Sequence, residues 1–265
     1  MKDLKTIVSK VAEAATETGK FILSESEVFD ISRIEKKGLN DLVSYVDKRS
    51  EEMLVKKLSQ ILPEADFLAE EGTSSQNGAK YCWVIDPLDG TTNFVHGVHP
   101  YAISIGLMED NEPVAGVVYE VQGFEIFSAW KNGGAWLNDK PIHVSQVSSL
   151  SESLIATGFP YYDFERLDKF MECFEYFCKT THGIRRLGSA AIDMAYVACG
   201  RFESFYEYGL HPWDIAAATI IVREAGGMVS DFTGDQMNLS GSDVIASNKL
   251  LYPEFLKIVS NFMHA

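Results

Sequence analysis

Apolar residues at Leu4, Ile7, Val8, Val11, Ala15 and Ile22 recur close to the period of a helix, with charges between them. The first 27 residues are therefore predicted to form an amphipathic helix. Met53, Leu54, Lys57, Leu58 and Ile61 keep helical intervals across the stretch from Asp47 to Ile61, and Pro63 supplies a stop. Apolar runs at Asp66–Ala69 and Tyr81–Ile85 read as strands. From about residue 101 to 145 the chain turns β-rich, with YAISIGLM, EPVAGVVYE and FEIFSAW broken by Asn, Gly and Pro. Beyond residue 150 the patterns mix: a strand at Ser153–Thr157, a long helix near Phe164–Cys178 and another at Ser189–Ala198. A strand at Phe202–Glu207, a helix from about Asp214 to Ala225, a strand near Val244–Ala246 and a final helix follow. The order predicts layered sheets and helices, a mixed α/β or α+β chain. No repeat and no Pro/Gly/Ser linker interrupts it, and the boundary between halves is a soft one near residues 145 to 155.

Composition narrows the function. At 265 residues, 46% hydrophobic and 23% charged, the chain can bury a large core and disorder is excluded. Twenty-three Lys and Arg against 38 Asp and Glu leave a net charge of −15, which repels nucleic acid and anionic membrane surfaces. For an enzyme acting on an anionic phosphate that balance is a puzzle, and bound divalent cations would resolve it. Cys82, Cys173, Cys178 and Cys199 form no CxxC pair, so free thiols of a cytoplasmic protein are expected. No secretory signal opens the chain, and no apolar run approaches the ~20 residues that span a bilayer.

The richest dozen residues are Trp83 to Phe94, WVIDPLDGTTNF. Trp83, Val84 and Ile85 read as a buried strand whose regular pairing Pro87 ends, so Asp86 and Asp89 emerge together at its end. Two carboxylates that close repel unless a cation lies between them or one is protonated. Mg²⁺ takes oxygen ligands and keeps positions for water and substrate phosphate, and the Leu88 carbonyl is a further candidate ligand. Gly90 allows close backbone approach, and the amides of Gly90 and Thr91, opening a short helix, would cradle a phosphate. A plain DPxDG turn with solvated acids is the competing account. Glu70 and Glu71 end another apolar run, where a solvated turn would also explain them; Asp214 in HPWDIAAA would serve equally as a helix N-cap.

Taken together, DPLDGTTNF, the Glu70–Glu71 pair, WDIAA and REAGG (Arg223 to Gly227) resemble the inositol monophosphatase family. The likeness runs over nearly the whole chain and takes in KKGLNDLVSYVD (Lys36 to Asp47), GSAAID (Gly188 to Asp193) and FYEYGLHPWD (Phe205 to Asp214). It implies an α-β-α-β-α layered sandwich of the inositol monophosphatase and fructose-1,6-bisphosphatase type. Residues 1–265 would be one phosphatase unit with soft halves 1–148 and 149–265. Glu70, Asp86 and the Leu88 carbonyl would hold a first magnesium, and Asp86, Asp89 and Asp214 a second. A third, weaker ion would rest on Glu70 through waters. Thr91, with Asp47 behind it, would orient and help deprotonate a metal-bound water. The amides of Gly90 and Thr91 would grip the phosphate beside Asp89, while Gly188, Ser189, Ala190 and Glu207 would meet the ring hydroxyls of a polyol.

The expected activity is in-line hydrolysis of a phosphate monoester, inositol monophosphate first, with lithium inhibition and a homodimeric state implied by the resemblance. NADP 2′-phosphate, fructose-1,6-bisphosphate, 3′-phosphoadenosine phosphates and histidinol phosphate are the rival substrates, because the metal residues do not choose among them. A non-catalytic regulatory protein keeping the fold is the alternative of another class, and no EF-hand loop supports a calcium module. The histidines form no metal-ligand pair at helical spacing; His211, close to Asp214, is the one nearest the chemistry. The segment GTSSQNGAK between Glu71 and Tyr81 is expected to be a mobile loop beside the metals.

Overall fold

The computed structural model describes residues 3–29, 35–36, 42–75, 77–161, 164–235 and 243–264, with the backbone alone at 35–36 and 42–43. Helix α1 (Leu4–Ser26) opens on an Asp3 N-cap and buries Ile7, Val8, Val11, Ala15 and Ile22, the stripe its periodicity predicts. A short antiparallel ribbon follows, β1 (Glu35–Lys36) with β2 (Leu42–Val43). Residues 37–41 of the KKGLNDLVSYVD segment lie outside the described residues. Helix α2 (Tyr45–Ile61) starts on Ser44, whose backbone amide and hydroxyl both donate to Asp47 in a capping box, at 2.8 and 2.6 Å.

The next elements are β3 (Asp66–Ala69), β4 (Ser74–Ser75), β5 (Tyr81–Asp89), α3 (Thr91–Val95), β6 (Ala102–Glu109), β7 (Glu112–Glu120), β8 (Glu125–Trp130), β9 (Ala135–Leu137) and β10 (Lys140–Ile142). Their strands form one eight-stranded sheet in the order β10-β9-β8-β7-β6-β5-β3-β4. The remainder is β11 (Leu154–Thr157), α4 (Leu167–Thr180), β12 (Gly183–Arg185), α5 (Ala190–Ala198), β13 (Ser204–Glu207), α6 (Pro212–Glu224), β14 (Met228–Ser230), β15 (Val244–Ser247) and α7 (Tyr252–Met263). Its strands make a five-stranded sheet ordered β12-β11-β13-β15-β14. Helices α1 and α2 cover the outer face of the large sheet, α5 and α6 lie between the sheets, and α4 and α7 cover the far side. The layers are thus α-β-α-β-α.

Five of the described strands escape the sequence pattern. β1, β2, β4, β12 and β14 have only two or three residues each, too few to display a period of two. β5 runs on to Asp89 past Pro87, but its pairing with β6 shifts register between Asp86 and Asp89, so the proline does end the regular ladder.

The inner helix α6 approaches the large sheet unusually closely because the sheet offers no side chains there. Gly106 and Gly116 face each other across β6 and β7. A Cβ on Gly106 would lie 2.9 Å from the Ala216 methyl, and one on Gly116 would lie 2.4 Å from the Ala217 carbonyl oxygen. Small residues, Ala216 to Ala218, meet glycines in return. The Ser104 hydroxyl on β6 donates to the Trp213 carbonyl at 3.1 Å, pinning the first turn of α6 against the end of the sheet where β5 finishes.

Candidate active site

Strands β3 and β5 are parallel, Ala69 beside Ile85, so both end at the same edge. That is why two acids from separate segments meet: the Glu70 amide donates to the Ile85 carbonyl at 3.2 Å, one residue before Asp86. The bulge at Pro87 then turns Asp89 toward the inner helices. Its Oδ2 accepts from the Ser189 hydroxyl at 2.7 Å and the Ala191 amide at 2.8 Å, at the start of α5. Asp214 comes in at the third position of α6 and accepts from the His211 amide at 2.7 Å, the reciprocal bond of a capping box; the N-cap itself is His211, not Asp214 as the sequence suggests. Glu70, Asp86, Asp89 and Asp214 all line one cavity, with Leu88, Gly90, Thr91, Gly188, Ser189, Ala190 and Glu207. Every residue assigned from sequence is in that wall except Asp47, which stands behind it.

Asp47 is joined to the wall through Thr91. The Thr91 hydroxyl lies 2.7 Å from Asp47 Oδ1 and 3.0 Å from the Leu88 carbonyl oxygen. It has one proton to give, and the shorter contact, to a carboxyl, is the better acceptor. The hydroxyl oxygen is then left to accept from a water. Asp47 is buried, which pushes its carboxyl up, while Ser44 and Thr91 as donors pull it back. One turn further along α2, Glu51 is also buried and accepts from the Glu71 amide at 2.7 Å and the Thr73 amide at 2.9 Å. One helix face therefore holds both Thr91 and the backbone after Glu70. Sequence reading misses Glu51 because an acid inside an amphipathic helix looks solvated. Asp66 accepts from the Asn77 and Ala79 amides at 2.9 and 3.0 Å, so described residues of the segment expected to be mobile are hydrogen-bonded into the fold.

Gly90 has φ +94, and a Cβ there would lie 3.1 Å from the Gly188 carbonyl and 3.2 Å from that of Pro100. The Asn93 amide nitrogen donates to the Pro100 and Leu187 carbonyls, both at 2.7 Å, tying the loop before α5 to the loop before β6. Glu207 ends β13 beside Gly158, where a Cβ would come within 2.0 Å of its carboxylate. Arg186, Tyr161 and Asp193 also line the wall; Asp193 closes the GSAAID motif, while Arg186 and Tyr161 carry no motif that singles them out. The Arg186 guanidinium contacts the Tyr161 hydroxyl. The His211 ring stacks on Trp213 at 4.9 Å, at the rim.

Six carboxyls thus share a cavity with one guanidinium. Burial, then the charges of Glu70, Asp89 and Asp214, push the Asp86 carboxyl well up. Burial and Asp89 do the same to Asp214. Burial raises Asp89 to about 6 against donors from Ser189 and Ala191, and raises Glu207 to about 8 against Arg186. A phosphate dianion would be repelled from such a cavity as it stands. The donor set is all oxygen and over-charged, which suits a hard divalent cation. Among the described residues no three acid, histidine or cysteine side chains are drawn together into a finished metal cage.

These shifts set a pH dependence. Carboxyls raised in the folded state mean that the folded chain binds more protons than the unfolded one. For Glu207 the window runs from its ordinary 4.5 to about 8, and stability falls as pH rises through it. The melting temperature of protein in chelator is therefore expected to drop between about pH 5 and 8. Added magnesium should raise it more at pH 8 than at pH 5. A flat profile in chelator would remove the charge-crowding account.

The inositol monophosphatase family model matches residues 3–264. The chain belongs to the inositol monophosphatase family. Family membership brings magnesium-dependent hydrolysis of phosphate monoesters as its class of activity. Within the family, the chain is 40% identical over 249 residues to a putative Nus factor SuhB of Neisseria meningitidis serogroup B, covering 94% of this chain and 95% of that one. It is 40% identical over 258 residues to an inositol-1-monophosphatase of Synechocystis, covering 95% and 88%. The crystal structure of the extragenic suppressor protein suhB from Bartonella henselae superposes with a TM-score of 0.91 at 33% identity, covering 96% of this chain and 98% of that one. This member of the inositol monophosphatase family has no helix, among its described residues, long and apolar enough to cross a membrane.

Proposed function

We propose that this chain hydrolyses the phosphate monoester of a small polyol, inositol 1-phosphate before others, and that it works as a homodimer. The observation that carries the reading is the meeting of Glu70, Asp86, Asp89 and Asp214 in one cavity with Thr91, backed by Asp47, at its edge. Glu70, Asp86, the Leu88 carbonyl, Asp89 and Asp214 would hold two to three Mg²⁺ ions. Bound magnesium lowers the pKa of a coordinated water and neutralises charge on phosphoryl oxygens. Thr91, with its own proton held toward Asp47, would accept a hydrogen bond from the attacking water and orient its oxygen. The amides of Gly90 and Thr91 hold the phosphate at the start of α3. Asp89, braced by Ser189 and the Ala191 amide, keeps the α5 start and its Gly188–Ala190 backbone in place beside the leaving group. Glu207 receives a substrate hydroxyl.

The test is phosphate release, in magnesium, from inositol 1-phosphate, NADP and fructose-1,6-bisphosphate in parallel, followed by a lithium titration at fixed magnesium. Inositol 1-phosphate is expected to give the highest kcat/KM and lithium to inhibit. A higher value for either of the other two would reassign the substrate. No release from any of them would favour the regulatory reading, which the name of the Neisseria relative keeps open.

A further inference from the structure

Asp193 lies on the first turn of α5, among Ala190, Ala191, Ile192, Met194 and Ala195. It is 1% exposed and it lines the cavity, yet its Oδ1 has no hydrogen-bond partner among the described residues. The charged groups that act on it are Glu207, Asp89 and Arg186, two of them of its own sign. The start of α5 favours a carboxylate at this position, but it gives the Oδ1 no hydrogen-bond donor among the described residues. An apolar side chain would suit the neighbours better, and a buried polar atom without a partner destabilises the protein that holds it.

The complementary group stands in the same wall. Arg186 Nε is also buried with no partner among the described residues. Its guanidinium carbon lies 5.7 Å from the centre of the Tyr161 ring and 5.8 Å from that of Phe159, and the Tyr161 hydroxyl meets a terminal nitrogen. The aromatic pair holds the side chain in place. Both residues line the cavity beside Glu207, and each carries a buried polar atom, one an acceptor and one a donor, without a partner among the described residues. A hydroxyl both donates and accepts, so neighbouring hydroxyls of a polyol would satisfy both groups at once.

We infer that Asp193 is a specificity-determining residue, whose Oδ1 hydrogen-bonds a hydroxyl of the substrate while Arg186 Nε–H donates to the oxygen of an adjacent one. The inference deepens the proposed polyol-phosphate activity and rests on it. An ester without hydroxyls, such as phenyl phosphate, leaves both groups unmet and is disfavoured for that reason.

The experiment compares phosphate release from inositol 1-phosphate and from phenyl phosphate for the full chain in magnesium, with wild type, Asp193→Ala and Asp193→Asn, and records each melting temperature. In Asp193→Ala the ratio of the two kcat/KM values is expected to fall about ten- to a hundredfold, as befits one hydrogen bond to a charged group, chiefly through KM for inositol 1-phosphate. The melting temperature is expected to rise, because an unpaired buried acid is gone. Asp193→Asn keeps the size and one acceptor oxygen and should retain part of the ratio. A wild-type preference for inositol 1-phosphate that survives both substitutions overturns the inference alone. So does an equal loss on both esters with a lower melting temperature, which would make Asp193 structural. A wild-type chain that hydrolyses neither ester overturns the polyol-phosphatase reading and the inference with it.

Discussion

Asp214→Asn is expected to lose more than about a hundredfold in magnesium-dependent turnover, beyond the 10- to 100-fold that removal of an outer partner costs a metal site. The fold should survive. The amide oxygen of Asn can still accept from the His211 amide, the bond this carboxyl makes in the capping box of α6. Burial and the charge of Asp89 already press on Asp214, so replacing it with a neutral side chain removes a repulsion rather than a support. The melting temperature in chelator should hold or rise, while the increment gained on adding magnesium shrinks. Turnover close to wild type would take Asp214 out of the ligand set and leave it a helix cap.

Gly116→Val should have the largest effect on stability. The new Cβ would start 2.4 Å from the Ala217 carbonyl and 2.9 Å from the Ala217 Cα, so the obstacle is helix backbone and not a side chain able to rotate away. Overpacking a core typically costs about 1–3 kcal/mol, and here α6 as a whole must move, so a loss above about 3 kcal/mol is expected. Denaturant unfolding measures it. Because α6 carries Asp214, the protein that still folds should also show weaker magnesium binding. A change below about 1 kcal/mol would mean that the helix and sheet are less tightly coupled than their geometry implies.

What the sequence discloses about the site follows from where each residue sits. Asp86 and Asp89 are legible because a proline, a glycine and two threonines surround them at the end of an apolar strand. Glu70 and Asp214 are legible only as acids at element ends, and each has an ordinary explanation. For Asp214 that explanation, the N-cap, is off by three positions: His211 is the N-cap, and Asp214 returns the capping-box bond to its amide from the third helical position. Glu51 and Asp193 are hidden for a different reason. Both lie inside helices, where an acid normally faces water, and only the packed structure shows them buried. Arg186 is hidden because a basic residue in a short strand-to-helix loop has no pattern of its own. Among the elements, long helices and the meander from β6 to β8 announce themselves by period, while β4, β12 and β14 take their place from neighbouring strands and not from their own residues.

The inner helices have a double allegiance. By chain order α5 and α6 belong with the five-stranded sheet, yet α6 packs along β5, β6, β7 and β8 of the other. A fragment ending at residue 148 would leave those strands bare on one side and the glycine pair open to water. The remaining piece would expose the alanines that fill it. Neither piece could shield itself, so the acids that end β3 and β5 share a cavity with Asp214 only when the last third of the chain has arrived.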